Sequence, residues 1–407
     1  MSNSKRAPKS DESKQHNDYS LQINRWFLKL IGAWPQINAS STVWKILVLL
    51  QIFICASTIA SITLPCLLYI LFEEINIKAK LKVVGALITR SMGVVNYWVL
   101  LTRSSDIHKL IRHMEADWNL IQRFDDREIM LRHARYGRFI TFICGTIMQG
   151  GTFLYSLALI TKTVPIVIDN QTYSTHVFAC PIYSKIIDTR LSPVNEIALA
   201  LQFVSSFLLS CSTVGACSLA AVFAVHACGQ LNILCAWLHE LVENQEEGNR
   251  IVERRLAVIV KHHLRILSFI SRMESVMNKV SLVELLGCTI ILCFLGHYTI
   301  MDWSTFDVGK LTSYFIMYLS MNFNIFIFCY IGEIVTEQCK YVGEVAYMTK
   351  WYNIHHKTAL GLVLVIAQSS NVIKITAGKL FHLSIATFGD VIKTSMAYLN
   401  LLRTMTM

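Results

Sequence analysis

Seven predominantly apolar stretches decide what this chain can fold into. They lie at 43–72, 81–101, 137–162, 195–226, 280–300, 311–333 and 379–402. A helix needs about 20 mostly apolar residues to cross the roughly 30 Å hydrocarbon core of a bilayer. Only helices and closed barrels satisfy their own backbone polar groups there, and runs this long exceed a barrel strand of about 10 residues. The chain is therefore expected to be an all-α membrane protein with seven transmembrane helices. Composition agrees: 54% of its 407 residues are hydrophobic and 16% are charged, against about 25% charged in a typical soluble domain.

Orientation follows from Lys and Arg, which stay on the cytoplasmic side of short loops. With the N-terminus cytoplasmic, the inner segments hold about 25 basic residues and the outer segments about 7. The C-terminus is then extracellular. Arg132, Arg135 and Arg138 abut the third span on the inner side, and Glu73-Glu74 follows the first span outside. Asn170-Gln171-Thr172 is a glycosylation acceptor in a loop assigned outside. The net charge of +10 forms no separate stripe, so it points to membrane lipid head groups and orientation, not nucleic acid.

The expected organisation has four parts. Residues 1–42 form a cytoplasmic N-terminal segment whose polar start is partly disordered. Residues 43–333 hold spans 1–6 with inner helical extensions at 104–136 and 251–278. Residues 334–378 form a cytoplasmic anchor, in which 359–367 is a buried helix too short to cross. Residues 379–407 hold the last span and a short outer tail.

No enzyme chemistry is legible. His239-Glu240 lacks the second His of a zinc protease motif, and there is no phosphate-binding loop. His262-His263 and His355-His356 are adjacent, so on a helix they diverge and read as solvated or interfacial residues. The 12 cysteines show no metal-ligand spacing. No metal and no cofactor are expected. Cys66, near an outer helix end, and Cys180, in an outer loop, could pair as a disulfide.

Ionisable groups within spans are functional candidates by default. Arg90 sits mid-span, where pairing, snorkelling and a functional role all remain open. Glu284 reads as interfacial. Asp390 and Lys393 share a helix face, either as a self-neutralised pair or lining a wet pore vestibule. Three spans carry aromatics, methionine and hydroxyls in their outer halves: Met148, Thr152 and Tyr155; Phe203, Ser206 and Ser210; Tyr314, Met317 and Tyr318. Such linings suit a small, apolar or weakly polar ligand. On the last span Leu401 and Met405 share a face, with Thr404 beside them, so several copies around an axis could form an apolar constriction.

The C-terminal third resembles the insect odorant receptors. Residues 331–353 (IGEIVTEQCKYVGEVAYMTKWYN) look like that family's inner helix. Within 367–403, Lys374, Thr376-Ala377-Gly378, Leu383-Ser384, Phe388 and Lys393-Thr394-Ser395 match its ending. The opening LQINRWFLKLIGAWP is similar as well. The resemblance implies a ligand-gated, non-selective cation channel of four subunits in the plasma membrane. A tuning subunit binds a small volatile organic ligand and assembles with a common co-receptor subunit. The co-receptor has a much larger second inner loop than 227–279, so this chain looks like a tuning subunit. Leu401 and Met405 then match gate positions, with Thr404 between them. Arg403 departs from the apolar residue of the co-receptor, and puts a cation-conducting homomer in doubt. The family's pocket lies among spans two, three, four and six, which adds Val95 and Asn96. A gustatory receptor-type channel is the nearest alternative, but Arg403-Thr404-Met405 differs from that ending. A G-protein-coupled receptor would need the opposite orientation.

Overall fold

A computed structural model describes residues 9–35, 42–73, 77–168, 171–183, 185, 189, 192–241, 249–303, 308–370 and 373–406. Eleven α-helices dominate it. Residues 9–30 are not a loose tail, because α1 (Lys9–Leu30) places Leu21, Asn24 and Leu28, with Ile31 beyond its end, at alternating spacings of three and four residues. That stripe is buried against α4, α5 and α7. The acceptor Asn170 lies outside the described residues.

The spans follow as α2 (Thr42–Phe72), α3 (Ile77–Thr102), α5 (Phe124–Cys144) with α6 (Gly150–Ile160), α7 (Val194–Glu240), α8 (Asn249–Met301), α9 (Val308–Met348) and α11 (Ile385–Thr406). Among the described residues six helices are long and apolar enough to cross a membrane. The 22 residues of α11 are also long enough, about 33 Å, but Asp390, Lys393 and Arg403 lower its hydropathy. It begins six residues later than the apolar run at 379, because 379–384 belong to a short hairpin and turn.

Helices α7, α8 and α9 have 47, 53 and 41 residues. At 1.5 Å per residue they reach about 60–80 Å, twice the hydrocarbon core. The inner extension expected at 251–278 is the first half of α8, and α9 continues past 333 to Met348. The inner stretch 104–136 is not one helix: α4 (Ser104–Leu120) ends before Ile121–Arg123, and α5 restarts at Phe124. The core sits along α7. Its small residues Gly215, Ala216, Ser218, Ala220, Ala221, Ala224 and Gly229 let α1, α3, α5, α8 and α9 approach closely. A Cβ on Gly215 would stand 2.7 Å from Leu28 of α1. By contrast α2 exposes Trp44, Leu49, Phe53 and Phe72, as a lipid-facing helix does.

A polar cluster and a largely buried histidine pair tie the inner helices together. Asp117 on α4 is buried and accepts hydrogen bonds from Arg265 Nε (2.8 Å) and His226 Nε2 (3.0 Å), with His113 at 3.7 Å. Burial alone pushes its carboxyl up. The hydrogen bond from His226, then the positive charges around it, outweigh that and hold it below the usual range. His262 and His263 are not solvated. His263 is fully buried, and burial pushes His262, packed on Trp237, down to about 4. His355 and His356 are exposed, as expected.

Helix α10 (His356–Ser370) is buried on one face only. Leu362 and Val365 are covered, while Leu360, Val363 and Leu364 are exposed. Between α10 and α11, β3 (Thr376–Ala377) pairs with β4 (Phe381–His382). Gly378 and Lys379 both take left-handed backbone angles in the turn, which explains a glycine there. The hairpin is tied to α8 by the Gly378 N–H donating to the Asn278 carbonyl (2.8 Å). The first residue of α11, Ile385, donates its N–H to Glu333 of α9 (3.0 Å). A second hairpin, β1 (Thr163–Ile168) with β2 (Gln171–His176), stands in the outer loop.

Candidate ligand cavity and pore helix

A cavity of about 390 Å³ opens among α3, α5–α6, α7, α8 and α9 in their outer halves. That size lies at the small end of ligand pockets. It exists partly because the helix of the third span is not regular. Residues Gly145–Gln149 form a π-helical turn between α5 and α6, a device that re-aims side chains and recurs at functional sites. Met148 in this turn and Thr152 and Tyr155 just after it face the cavity. Gly151 packs against Ser320 of α9, where a Cβ would stand 3.3 Å from the Ser320 Cβ, so the two helices approach closely.

Eight of the eleven residues expected to form the pocket line this cavity: Met148, Thr152, Tyr155, Phe203, Ser206, Ser210, Tyr314 and Met317. Three do not. Tyr318 and Val95 are half-buried and pack against the core. Asn96 is fully buried, and its amide donates to Glu284 and to Thr213 Oγ1 (3.0 Å). Asn96 acts instead on the floor. Glu284, expected at an interface, is 1% exposed. It lines the deep end of the cavity and accepts from both Asn96 and Asn324. The error has a plain cause: α8 starts far below the membrane, so a residue near the start of the apolar run is still deep inside the bundle.

The roof is built from the outer loop. Val177, Phe178, Ala179 and Cys180 line the cavity. Gln202 of α7, with its amide oxygen turned toward them, accepts from the N–H groups of Ala179 (3.0 Å) and Cys180 (3.2 Å). Asn195 holds the second outer strand by accepting from the His176 N–H (3.1 Å) and donating to Thr175 Oγ1 (3.1 Å). The Cys66 and Cys180 thiols touch each other, both as free thiols. Within the walls, Thr152 donates to Ser210 (3.1 Å) and Tyr314 donates to Asp302 (2.8 Å). Phe294 and Tyr314 flank Tyr298 at 6.2 and 6.0 Å between ring centroids.

Arg90 was singled out as an ion in a span, and the structure places it on the cavity wall. It is 6% exposed. Further lining residues that spacing did not single out are Gln202, Tyr298, Ser313 and Asn324. Small hydroxyl and amide groups on long apolar helices recur too often for spacing to select them.

On α11, Leu401 is 57% exposed. Thr404 is exposed and donates back to its own helix at Leu401 (2.8 Å). Met405 belongs to α11, but its side chain lies outside the described residues. Lys393 Nζ stands 3.7 Å from Asp390, and both side chains are highly exposed. No described group of His, Cys, Asp and Glu could hold a metal.

The model of the 7tm odorant receptor family matches residues 76–396, most of the chain. The chain belongs to that family. Among sequence relatives of the receptor, odorant receptor 13a of Drosophila melanogaster is 24% identical over 225 residues, covering 50% of this chain and 53% of that one. Odorant receptor 10 of Aedes albopictus is 22% identical over 218 residues, covering 53% and 57%. Each match thus spans little more than half of the relative. Odorant receptor Or2 of Anopheles gambiae is 21% identical over 359 residues, covering 84% and 90%. The solved olfactory receptor OR5 from Machilis hrabei in complex with eugenol superposes with a TM-score of 0.81. It is 13% identical and covers 97% of this chain and 100% of its own. The receptor shares that seven-transmembrane all-helical fold and is a multi-pass membrane protein.

Proposed function

We propose that the receptor is an odorant-binding tuning subunit of a heterotetrameric, ligand-gated, non-selective cation channel in the plasma membrane. The observation that carries this reading is the roofed, mainly apolar cavity among the outer halves of the helices. It matches a volatile molecule in size and offers hydroxyls and amides for orientation. Family membership and the names of the relatives support an odorant as its occupant.

Opening needs a route from cavity to pore helix. Helix α8 contributes Glu284, Ile291, Phe294 and Leu295 to the cavity. Gly296, one residue on, packs so closely on α11 that a Cβ would stand 2.9 Å from Leu399. On α9, Met317 and Met321 line the cavity, while Phe326 packs edge-on against Phe388 of α11 at 5.6 Å. A ligand that moves α8 or α9 therefore moves α11. On α11, Leu401 and Met405 act as the apolar gate with Thr404 beside it, and Asp390 with Lys393 borders the vestibule through which mono- and divalent cations pass. The uncovered faces of α10 and α11 supply apolar surface for neighbouring subunits, including the co-receptor. Asn170 carries the glycan.

Whole-cell current during an odorant panel, with G-protein signalling blocked, tests this. Fast odorant-evoked cation current on co-expression with the co-receptor, and none from the co-receptor alone, is the expected result. Its absence for the whole panel at confirmed surface expression counts against the reading. Current from this chain alone would replace the heteromer with a homomer.

A further inference from the structure

We propose that the cavity is built for a ligand bearing a carboxylate, with Arg90 as its anchor. This rests on the cavity being the ligand site and names the chemical class it takes.

Arg90 lies midway along α3, buried among helices and facing the cavity. Guanidinium stays ionised in proteins, and a buried charge is costly unless paired. Yet no described carboxylate stands within ion-pair distance of it. Its partners are neutral: Thr63 Oγ1 (3.3 Å), Ser206 Oγ (3.2 Å), Ser205 Oγ and the Cys180 thiol. The thiol is also shared with Cys66. Glu284, the one carboxylate among the described lining residues, is held by two asparagine amides on the floor.

The lining as a whole is biased the same way. Among the described lining residues, Lys82, Lys162 and Lys310 join Arg90 on the walls, against one carboxylate, Glu284. Lys82 is matched by Asp302 (3.3 Å), whereas Arg90 sits far deeper. A guanidinium has five donors in a planar fork; three go to Thr63, Ser206 and Ser205, and a fourth to the Cys180 thiol. One terminal N–H is left for an incoming acceptor, a charge-assisted contact that suits a carboxylate. Tyr298, also on the cavity, has a buried hydroxyl with no partner, so a second donor awaits an acceptor. A small alkyl carboxylic acid supplies the anion that Arg90 lacks. It ionises like a glutamate side chain, near about 4.3 in water, so it enters as the anion at neutral pH and leaves its alkyl chain to the apolar walls.

Binding is measured directly on the full receptor in nanodiscs, by the ligand concentration that raises the unfolding temperature. Octanoate, methyl octanoate and octan-1-ol are compared at pH 7.5. Octanoate is expected to act at no less than tenfold lower concentration than either neutral analogue. Arg90→Gln is expected to remove that advantage while methyl octanoate keeps its wild-type effect, and Arg90→Lys to retain part of it. Equal potency of acid and ester on the wild type overturns the proposal, and that comparison stands even if Arg90→Gln fails to fold. Acid-selective binding without odorant-gated current would sink the channel reading and leave this one. Odorant-gated current from neutral ligands without acid-selective binding would do the reverse.

Discussion

Gly332 on α9 is the contact where one added methyl group should be felt at the pore. A Cβ there would stand 2.7 Å from Leu383 Cβ and 2.9 Å from the Leu383 carbonyl carbon, with the carbonyl oxygen nearer still. Carbon atoms at rest sit about 3.5 Å apart or more, so the shortfall is roughly 0.8 Å. The obstacle is backbone and cannot rotate away. Leu383 stands two residues before α11, and Ile385 is hydrogen-bonded to Glu333, the neighbour of Gly332. The clash therefore bears on α11 itself, the proposed pore helix. Overpacking of this kind costs about 1–3 kcal/mol. If it falls on one gating state, that is of order five- to a hundredfold in the opening equilibrium. Gly332→Ala is expected to shift the odorant dose–response by that factor, or abolish current, while the protein still reaches the surface. Gly150→Ala is the control, because nothing lies within 4 Å of its Cβ position. A Gly332→Ala receptor with wild-type surface level and wild-type dose–response would refute the reasoning.

Stability should fall in mild acid. His262 is held at about 4 by burial against about 6.5 unfolded, so the unfolded chain takes up the proton first and stability declines as pH drops below 6.5. His262 accounts for about 2 kcal/mol of the loss by pH 5, read from unfolding midpoints at pH 7.5 and 5, and His262→Gln should remove that share while His113, His133 and His263, also lowered by burial, keep theirs. Asp117 adds nothing in that window, because its lowered pKa protects it until the pH falls through the carboxylate range. Asp390→Asn is expected to lower single-channel cation conductance at low ionic strength and to matter little in high salt, since the side chain is highly exposed; equal conductance in dilute salt would place Asp390 off the ion path. Cys66 and Cys180 stand in contact as free thiols on the outer side. Non-reducing peptide mapping should recover both alkylated, and recovery of a linked pair would contradict this.

The membrane class was legible because it depends on run length alone. The orientation and the outer-half cavity follow from charge asymmetry and from side chains that repeat at helical spacing, which is why Met148, Thr152 and Tyr155 could be grouped. What sequence could not give was depth and register between helices. Glu284 looked interfacial because the apolar run begins just before it, yet α8 had already run more than 30 residues inside. Val95 and Asn96 lie next to the cavity in sequence, but helix rotation turns Asn96 onto Glu284 instead. The start of the last span was placed too early because Gly378 and Lys379 take left-handed angles that hydropathy does not see. Arg90 could be flagged as an ion in a span, but the absence of a described carboxylate around it is a property of packing from α2, α7 and the outer loop.

The same packing bears on which assembly can conduct. Helix α11 leaves Met396, Tyr398 and Leu401 about half exposed, and an apolar face of this kind needs other subunits or lipid to cover it. Four copies of this chain would cover it symmetrically, but would also bring four Arg403 side chains to one level beside Thr404. Charges of one sign in a narrow ring oppose cations strongly, because a pore with low-dielectric walls focuses their field. A single copy among co-receptor subunits contributes one such charge and leaves the constriction mostly apolar. The asymmetry of the ring thus favours the heteromer. If Arg403→Leu gives odorant-evoked cation current from the chain expressed alone, electrostatics at this one residue is what forbids the homomer. If it stays silent at full surface expression, the obstacle lies in subunit packing along α10 and α11.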